Sequence, residues 1–119
     1  MAPLPRLTRR AEFLKVAAAR RKWAAPGLIL QAAADSRGPE GRDLPWRIGF
    51  TASRKVGNAV ARNRARRRLR AIAAETMSSH ARAGHDYVLI ARAGTLTRAY
   101  RALVEDLEEG LKHLGLYRP

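Results

Sequence analysis

The chain has 119 residues, a formal net charge of +14 and a pI near 11.6, and it contains no cysteine. Disulfides, thiolate metal sites and cysteine nucleophiles are thereby excluded, and no apolar run is long enough to span a bilayer. The length suits one domain, 1–119, with a modest core, and so large a charge points to a polyanionic partner. The opening MAPLPRLTRRAEF lacks the apolar stretch of a secretory signal, so a cytoplasmic protein with no membrane partner is expected.

Residues 8–20, TRRAEFLKVAAAR, carry a helical pattern with Thr8 as the expected N-cap and Leu7, Phe13, Val16 and Ala17 near one face. Pro26-Gly27 punctuates the chain before a strand at about 27–33, with room for a short extra strand near Trp23. Residues 34–45, ADSRGPEGRDLP, form a polar loop of the kind that joins strands. WRIGFTAS, 46–53, alternates Trp46, Ile48 and Phe50 with Arg47, Gly49 and Thr51, the period-two pattern of a half-buried strand. From about Asn58 to Ala81 the period becomes helical, with Ala65, Leu69, Ile72, Ala73 and Thr76 on one arc. HDYVLIAR, 85–92, is another strand, and 95–115 a closing amphipathic helix striped by Leu96, Tyr100, Leu103, Leu107, Leu111 and Leu114. The expected order is α-β-β-α-β-α plus the short strand, an α+β or α/β class.

The strands have two faces with different chemistry. If Leu28, Leu30, Trp46, Ile48, Phe50, Tyr87 and Leu89 face the core, the other face carries Ile29, Gln31, Arg47, Thr51, Ile90 and Arg92. That mixed face suits either a covering helix or an open platform for a ligand.

Charge is unevenly placed. Between Leu44 and Ala74 there are nine basic residues and no acid, whereas four of the ten acids fall in EDLEE, 105–109. Six arginines occupy positions 62–70, with Arg62, Arg66 and Arg70 beside the apolar arc and Arg64, Arg67 and Arg68 over the rest. Like charges at i, i+4 cost roughly 0.2–0.5 kcal/mol per pair, and phosphates would offset that through forked hydrogen bonds and counterion release. Nucleic-acid binding follows as the leading reading. Catalytic side chains, by contrast, are not evident. His80, His85 and His113 are scattered without metal-ligand spacing, Ser53 lacks a nucleophile context, no phosphate-loop pattern occurs, and the 105–109 carboxylates suit a solvated helix face.

At these residues a family comes into view. RIGFTASRKVGNAVARNRARRRLR, 47–70, resembles the signature of the protein subunit of bacterial ribonuclease P, with Arg62-Asn63-Arg64 matching its RNR hallmark. LTRRAEFLKV and HDYVLIAR extend the similarity over most of the chain. The resemblance implies a two-layer α/β sandwich of the ribosomal-S5-domain-2-like kind with a left-handed βαβ crossover, against the usual handedness. It implies a one-to-one ribonucleoprotein in which the RNA subunit is the catalyst, Mg2+ is bound mainly by RNA, and the protein assists removal of the 5′ leader of precursor tRNA. On this resemblance Arg62, Asn63, Arg64, Arg66, Arg67 and Arg70 contact the RNA subunit, with Asn63 near RNA-bound metal, and Arg54 and Lys55 extend that surface. A leader cleft would use Phe13, Ala17, Gln31, Thr51, Ile90 and Arg92.

Ala17 and Gln31 depart from the pattern, since family members commonly carry aromatics there. With base–aromatic stacking worth roughly 1–3 kcal/mol per base, leader binding here is expected to lean on arginine and backbone contacts and to be steeply salt-dependent. A purely structural RNA-binding protein and a small DNA-binding protein are the competing readings.

Overall fold

Alternation along the strands decides which side of the sheet is apolar, and the computed structural model, which describes residues 4–35 and 44–119, follows it. The elements are α1 (Arg10–Ala18), β1 (Arg21–Ala24), β2 (Leu28–Ala34), β3 (Arg47–Thr51), α2 (Ala59–His80), β4 (His85–Ala91), α3 (Ala93–Thr97) and α4 (Tyr100–His113). The sheet has the order β1-β2-β4-β3; β1–β2 and β2–β4 are antiparallel, and β3–β4 is parallel. A parallel pair needs a crossover, and α2 supplies it. Trp23 lies in β1, the short strand expected near it.

One face of the sheet offers Leu28, Leu30, Ile48, Phe50, Tyr87 and Leu89 to a single core with Ala65, Leu69, Ile72, Ala73 and Met77 of α2 and Leu103, Leu107 and Leu111 of α4. The arc expected on α2, Thr76 included, is buried along its length. Asn58 caps that helix by accepting the Ala61 N–H at 2.9 Å. Just before it Gly57 takes φ +146, a conformation that suits glycine at the turn into the helix.

On the opposite face, Leu7, Phe13 and Val16 meet Ala33, Val88 and Ile90, so α1 lies against the side of the sheet turned away from the main core. Both alternatives for that face are therefore realised: a helix covers part of it and leaves part open.

Five expectations need correction. The residue before α1 is Arg9, not Thr8; the helix start is instead satisfied by Glu12, whose Oε1 accepts the N–H groups of Thr8 at 2.9 Å and Arg9 at 2.8 Å. Ala17 is exposed, not packed down with Phe13 and Val16. The closing helix is two helices: Arg98 and Ala99 are extended (ψ 141 and 144), because the Arg98 side chain turns to Asp106 while its carbonyl accepts from Arg68. Tyr100, next to that break, is 39% exposed instead of lying in the stripe. Asp106 in turn is no solvated carboxylate; it is buried and accepts from Arg98 and from the Gly27 N–H. Most of the polar loop of 34–45, residues 36–43, lies outside the described residues.

Candidate nucleic-acid interface

Strand register arranges the outer face of the sheet in rows. Arg47, Asp86 and Ala33 form the first, Gly49, Val88, Gln31 and Lys22 the second, and Thr51, Ile90, Ile29 and Ala24 the third. The first two rows run under α1: Ala33, Gly49, Asp86 and Val88 are buried. In the third row Thr51, Ile90 and Ile29 are only half-buried. This row is the floor of a trench with α1 as one wall.

Phe13 forms that wall. A Cβ placed on Gly49 would collide with the Phe13 ring, with Cζ at 2.5 Å, so the ring packs directly on the Gly49 backbone and a side chain there would push it away. Beyond the third row the trench ends in a hollow lined by Pro26, Ile29, Ser53, Lys55, Val56, Ile90 and Arg92. Its floor is apolar and its rim cationic, a combination suited to a base on the floor and a phosphate on the rim. Arg92 is exposed, yet one guanidinium N–H donates to the Ala25 carbonyl at 2.7 Å, which steadies it at the edge.

Arg54 and Lys55, both exposed, occupy the turn that runs from β3 into α2 and so join the trench to the arginine helix. No acid stands in the first turn of α2, so the positive end of the helix dipole and the guanidiniums reinforce one another. Asn63, Arg66, Arg67 and Arg70, with Val60, line one shallow groove on this helix. Arg62 to Arg70 covers about 12 Å of helix at 1.5 Å per residue. Asn63 Oδ1 accepts from Arg66 at 2.5 Å, holding that guanidinium in place. Arg64 stands exposed and Arg62 half-buried on the same helix.

Arg68 differs from its neighbours. Its guanidinium donates to the carbonyls of Thr95 (2.8 Å), Leu96 (3.0 Å) and Arg98 (2.7 Å), and so binds α2 to the end of α3. Arg47 is likewise committed within the protein. It makes a fork to Asp86, with both N–H···O distances 2.8 Å, and donates to Glu12 at 2.6 Å. The hydrogen bonds to Asp86 raise its pKa above the ordinary arginine value, so its charge is permanent. The N–H groups of Arg9 and Thr8, aided by Arg47, hold the Glu12 carboxyl below its usual range.

The fold thus gathers Phe13, Thr51 and Ile90 around one trench, with Arg92 at its end and Gln31 half-buried at its margin, while Ala17 stands one helical turn beyond Phe13. Sequence reasoning left Ile29, Pro26, Ser53 and Val56 out of the cleft. Ile29 was placed on this face by its parity with Gln31 but not assigned to the cleft; the other three come from turns, where no periodicity marks them. Among the described residues no group of three or more His, Cys, Asp or Glu could hold a metal ion, and no helix is long and apolar enough to cross a membrane. His80 and His113 stack on Tyr117 and Trp23, respectively.

The family model for Ribonuclease P matches residues 1–115. The ribonuclease P protein component of Paramagnetospirillum magneticum is 58% identical over 117 residues, covering 96% of this chain and 85% of the relative. That of Gluconacetobacter diazotrophicus is 50% identical over 113 residues, covering 93% and 91%. Among solved structures, the Staphylococcus aureus RNase P protein superposes with a TM-score of 0.76 at 22% identity, over 98% of this chain and all of that one. The Thermotoga maritima RNase P protein gives 0.70 at 22%, over 92% and 94%. At such identities the two structures speak to the fold, which is the same mixed α/β arrangement around one sheet; the long matches in sequence carry the kinship, and the chain belongs to the ribonuclease P protein family.

Proposed function

We propose that this chain binds the RNA subunit of ribonuclease P through α2 and the 5′ leader of precursor tRNA through the trench, and that the RNA performs the cleavage. One observation carries the reading: an arginine surface without a local acid runs, through Arg54 and Lys55, into a half-uncovered sheet face of apolar floor and cationic rim. Such a surface gains from phosphate what it loses to self-repulsion. Arg62, Asn63, Arg64, Arg66, Arg67 and Arg70 would meet the RNA subunit. Phe13, Thr51, Ile90 and Arg92 would meet the leader, with Ala17 and Gln31 at its margin.

Mg2+ belongs in this proposal on the RNA. The protein surface involved is cationic, and Asn63 Oδ1 already accepts from Arg66, so these side chains do not fit direct coordination of a cation. Asn63 would approach a metal only across the RNA that holds it. The protein's part is to neutralise phosphate and to hold the leader in register, in a complex of one protein with one RNA in the cytoplasm.

Reconstitution tests the proposal. Added to a bacterial ribonuclease P RNA at low magnesium, the purified chain should stimulate 5′ cleavage of precursor tRNA, and alone it should cleave nothing. No stimulation, or cleavage by the protein alone, would overturn it. Duplex DNA that competes as well as the RNA subunit at moderate salt would favour a general DNA-binding role instead.

A further inference from the structure

Glu12 and Arg47 line neither the hollow nor the arginine groove, yet they form an ion pair at the residue before Phe13. Both oxygens of Glu12 are engaged: Oε1 accepts the N–H groups that open α1, and Oε2 accepts from Arg47 on β3 at 2.6 Å. Arg47 is itself held by its fork to the buried Asp86 on β4. One side chain therefore joins the start of α1 to the two strands beneath it. Phe13 follows Glu12 in the chain, and its seat, Gly49, follows Arg47 by one strand repeat on the same face.

The approach to α1 is also tied to β3, since Ile48 N–H donates to the Pro5 carbonyl and Leu7 N–H to the Ile48 carbonyl, both at 2.9 Å, but this tether ends at Leu7, before the helix begins. At nine residues, α1 is too short to hold its helix alone, and its apolar grip is confined to Leu7, Phe13 and Val16 on Ala33, Val88 and Ile90. Apolar contacts are non-directional and permit sliding; the charge-assisted hydrogen bond from Arg47 to Glu12 is directional and does not.

We propose that Glu12 and Arg47 are positioning residues that set the trench wall, and through it the affinity for the precursor leader, without contacting RNA. The inference rests on the reading that the trench takes the leader. Its test compares precursor tRNA carrying a leader of several nucleotides with the same precursor trimmed to a single leader nucleotide. Glu12→Gln should raise KM for the long-leader substrate roughly tenfold, the scale of one charge-assisted hydrogen bond, with kcat, KM for the trimmed substrate and affinity for the RNA subunit unchanged. Glu12→Asp should recover part of the loss. An unchanged long-leader KM, or an equal rise for both substrates, would overturn the proposal. Arg47→Lys, which keeps the charge and loses the fork, makes the same comparison if Glu12→Gln does not fold.

A second readout separates this idea from the leader assignment. The chain has two phenylalanines, Phe13 and Phe50. With 4-fluorophenylalanine at both, Glu12→Gln in the free protein should shift the Phe13 fluorine resonance and spare that of Phe50, which is buried in the main core. An unmoved Phe13 resonance would sink the positioning role whatever cleavage shows. A moved resonance with a wild type indifferent to leader length would support the positioning and refute only the leader assignment.

Discussion

Replacing Arg68 by alanine removes three hydrogen bonds, at 2.7–3.0 Å, from the carbonyls of Thr95, Leu96 and Arg98. Those carbonyls close the end of α3, where no further turn of helix can satisfy them. A hydrogen bond to a charged group contributes about 1.5–3 kcal/mol. The site is part-buried and water can replace some of the lost bonds, so a total near 2–3 kcal/mol is expected for the three together. For 119 residues an unfolding entropy of about 2.1 cal/mol/K per residue makes this a fall of about 8–12 °C in Tm. Arg67→Ala supplies the contrast, since Arg67 is exposed in the groove one position away on the same helix. It should leave Tm within a degree or two and reduce the slope of log affinity for the RNA subunit against log salt by about 0.7–0.9, one phosphate's share. Arg68→Ala should leave that slope unchanged. Calorimetry and binding titrations at several salt concentrations decide the matter. An Arg68→Ala protein that melts like wild type and loses slope would refute the division of labour drawn between the two arginines.

Other substitutions probe the cap, the core and the trench separately. Asn58→Ala removes the cap of α2 and should cost about 1 kcal/mol, read as a lower urea midpoint with an unchanged m-value. Leu69→Ala, at a fully buried core position, should cost about 2–5 kcal/mol; a loss below 1 kcal/mol would mean that α2 is not packed as described. The Glu12 carboxyl is held below the ordinary 4.5, so the stability it contributes is complete above that value and drains as pH falls through the lowered range. The gap in urea midpoint between wild type and Glu12→Gln should therefore be widest at neutral pH and close as pH drops below 4.5; a gap that widens on acidification would contradict the sign. Gln31→Tyr and Ala17→Phe add stacking surface at the trench margin and should tighten leader binding while softening its salt dependence. Unchanged affinity in both would count against a leader site there.

The strands and α2 were legible because their periodicities are local. Trp46, Ile48 and Phe50 alternate, Ala65, Leu69, Ile72 and Ala73 recur at helical spacing, and each pattern has one burial that satisfies it. The core face and the outer face follow from the same parity. The trench itself was half legible: parity places Gln31, Thr51 and Ile90 on one face, but it does not say that Thr51 lies beside Ile90 and Ile29, nor that α1 stops short of that row. Register is a relation between strands distant in the chain.

Charge shows the same divide. Composition and the run at 62–70 suffice to argue for a phosphate-bearing partner, since self-repulsion without local acids is a property of residue order. Which arginines remain free for that partner is another matter. Arg67 and Arg68 are indistinguishable as letters, and only packing turns one outward and gives the other three carbonyls contributed from 27 to 30 residues away. Arg47 and Glu12 meet across 35 residues, and Arg98 breaks a continuous apolar stripe because Asp106 and Arg68 claim it. Periodicity assigns a residue to a face; hydrogen bonds and ion pairs are assigned by whichever groups the finished fold brings within 3 Å, and no local pattern encodes that choice.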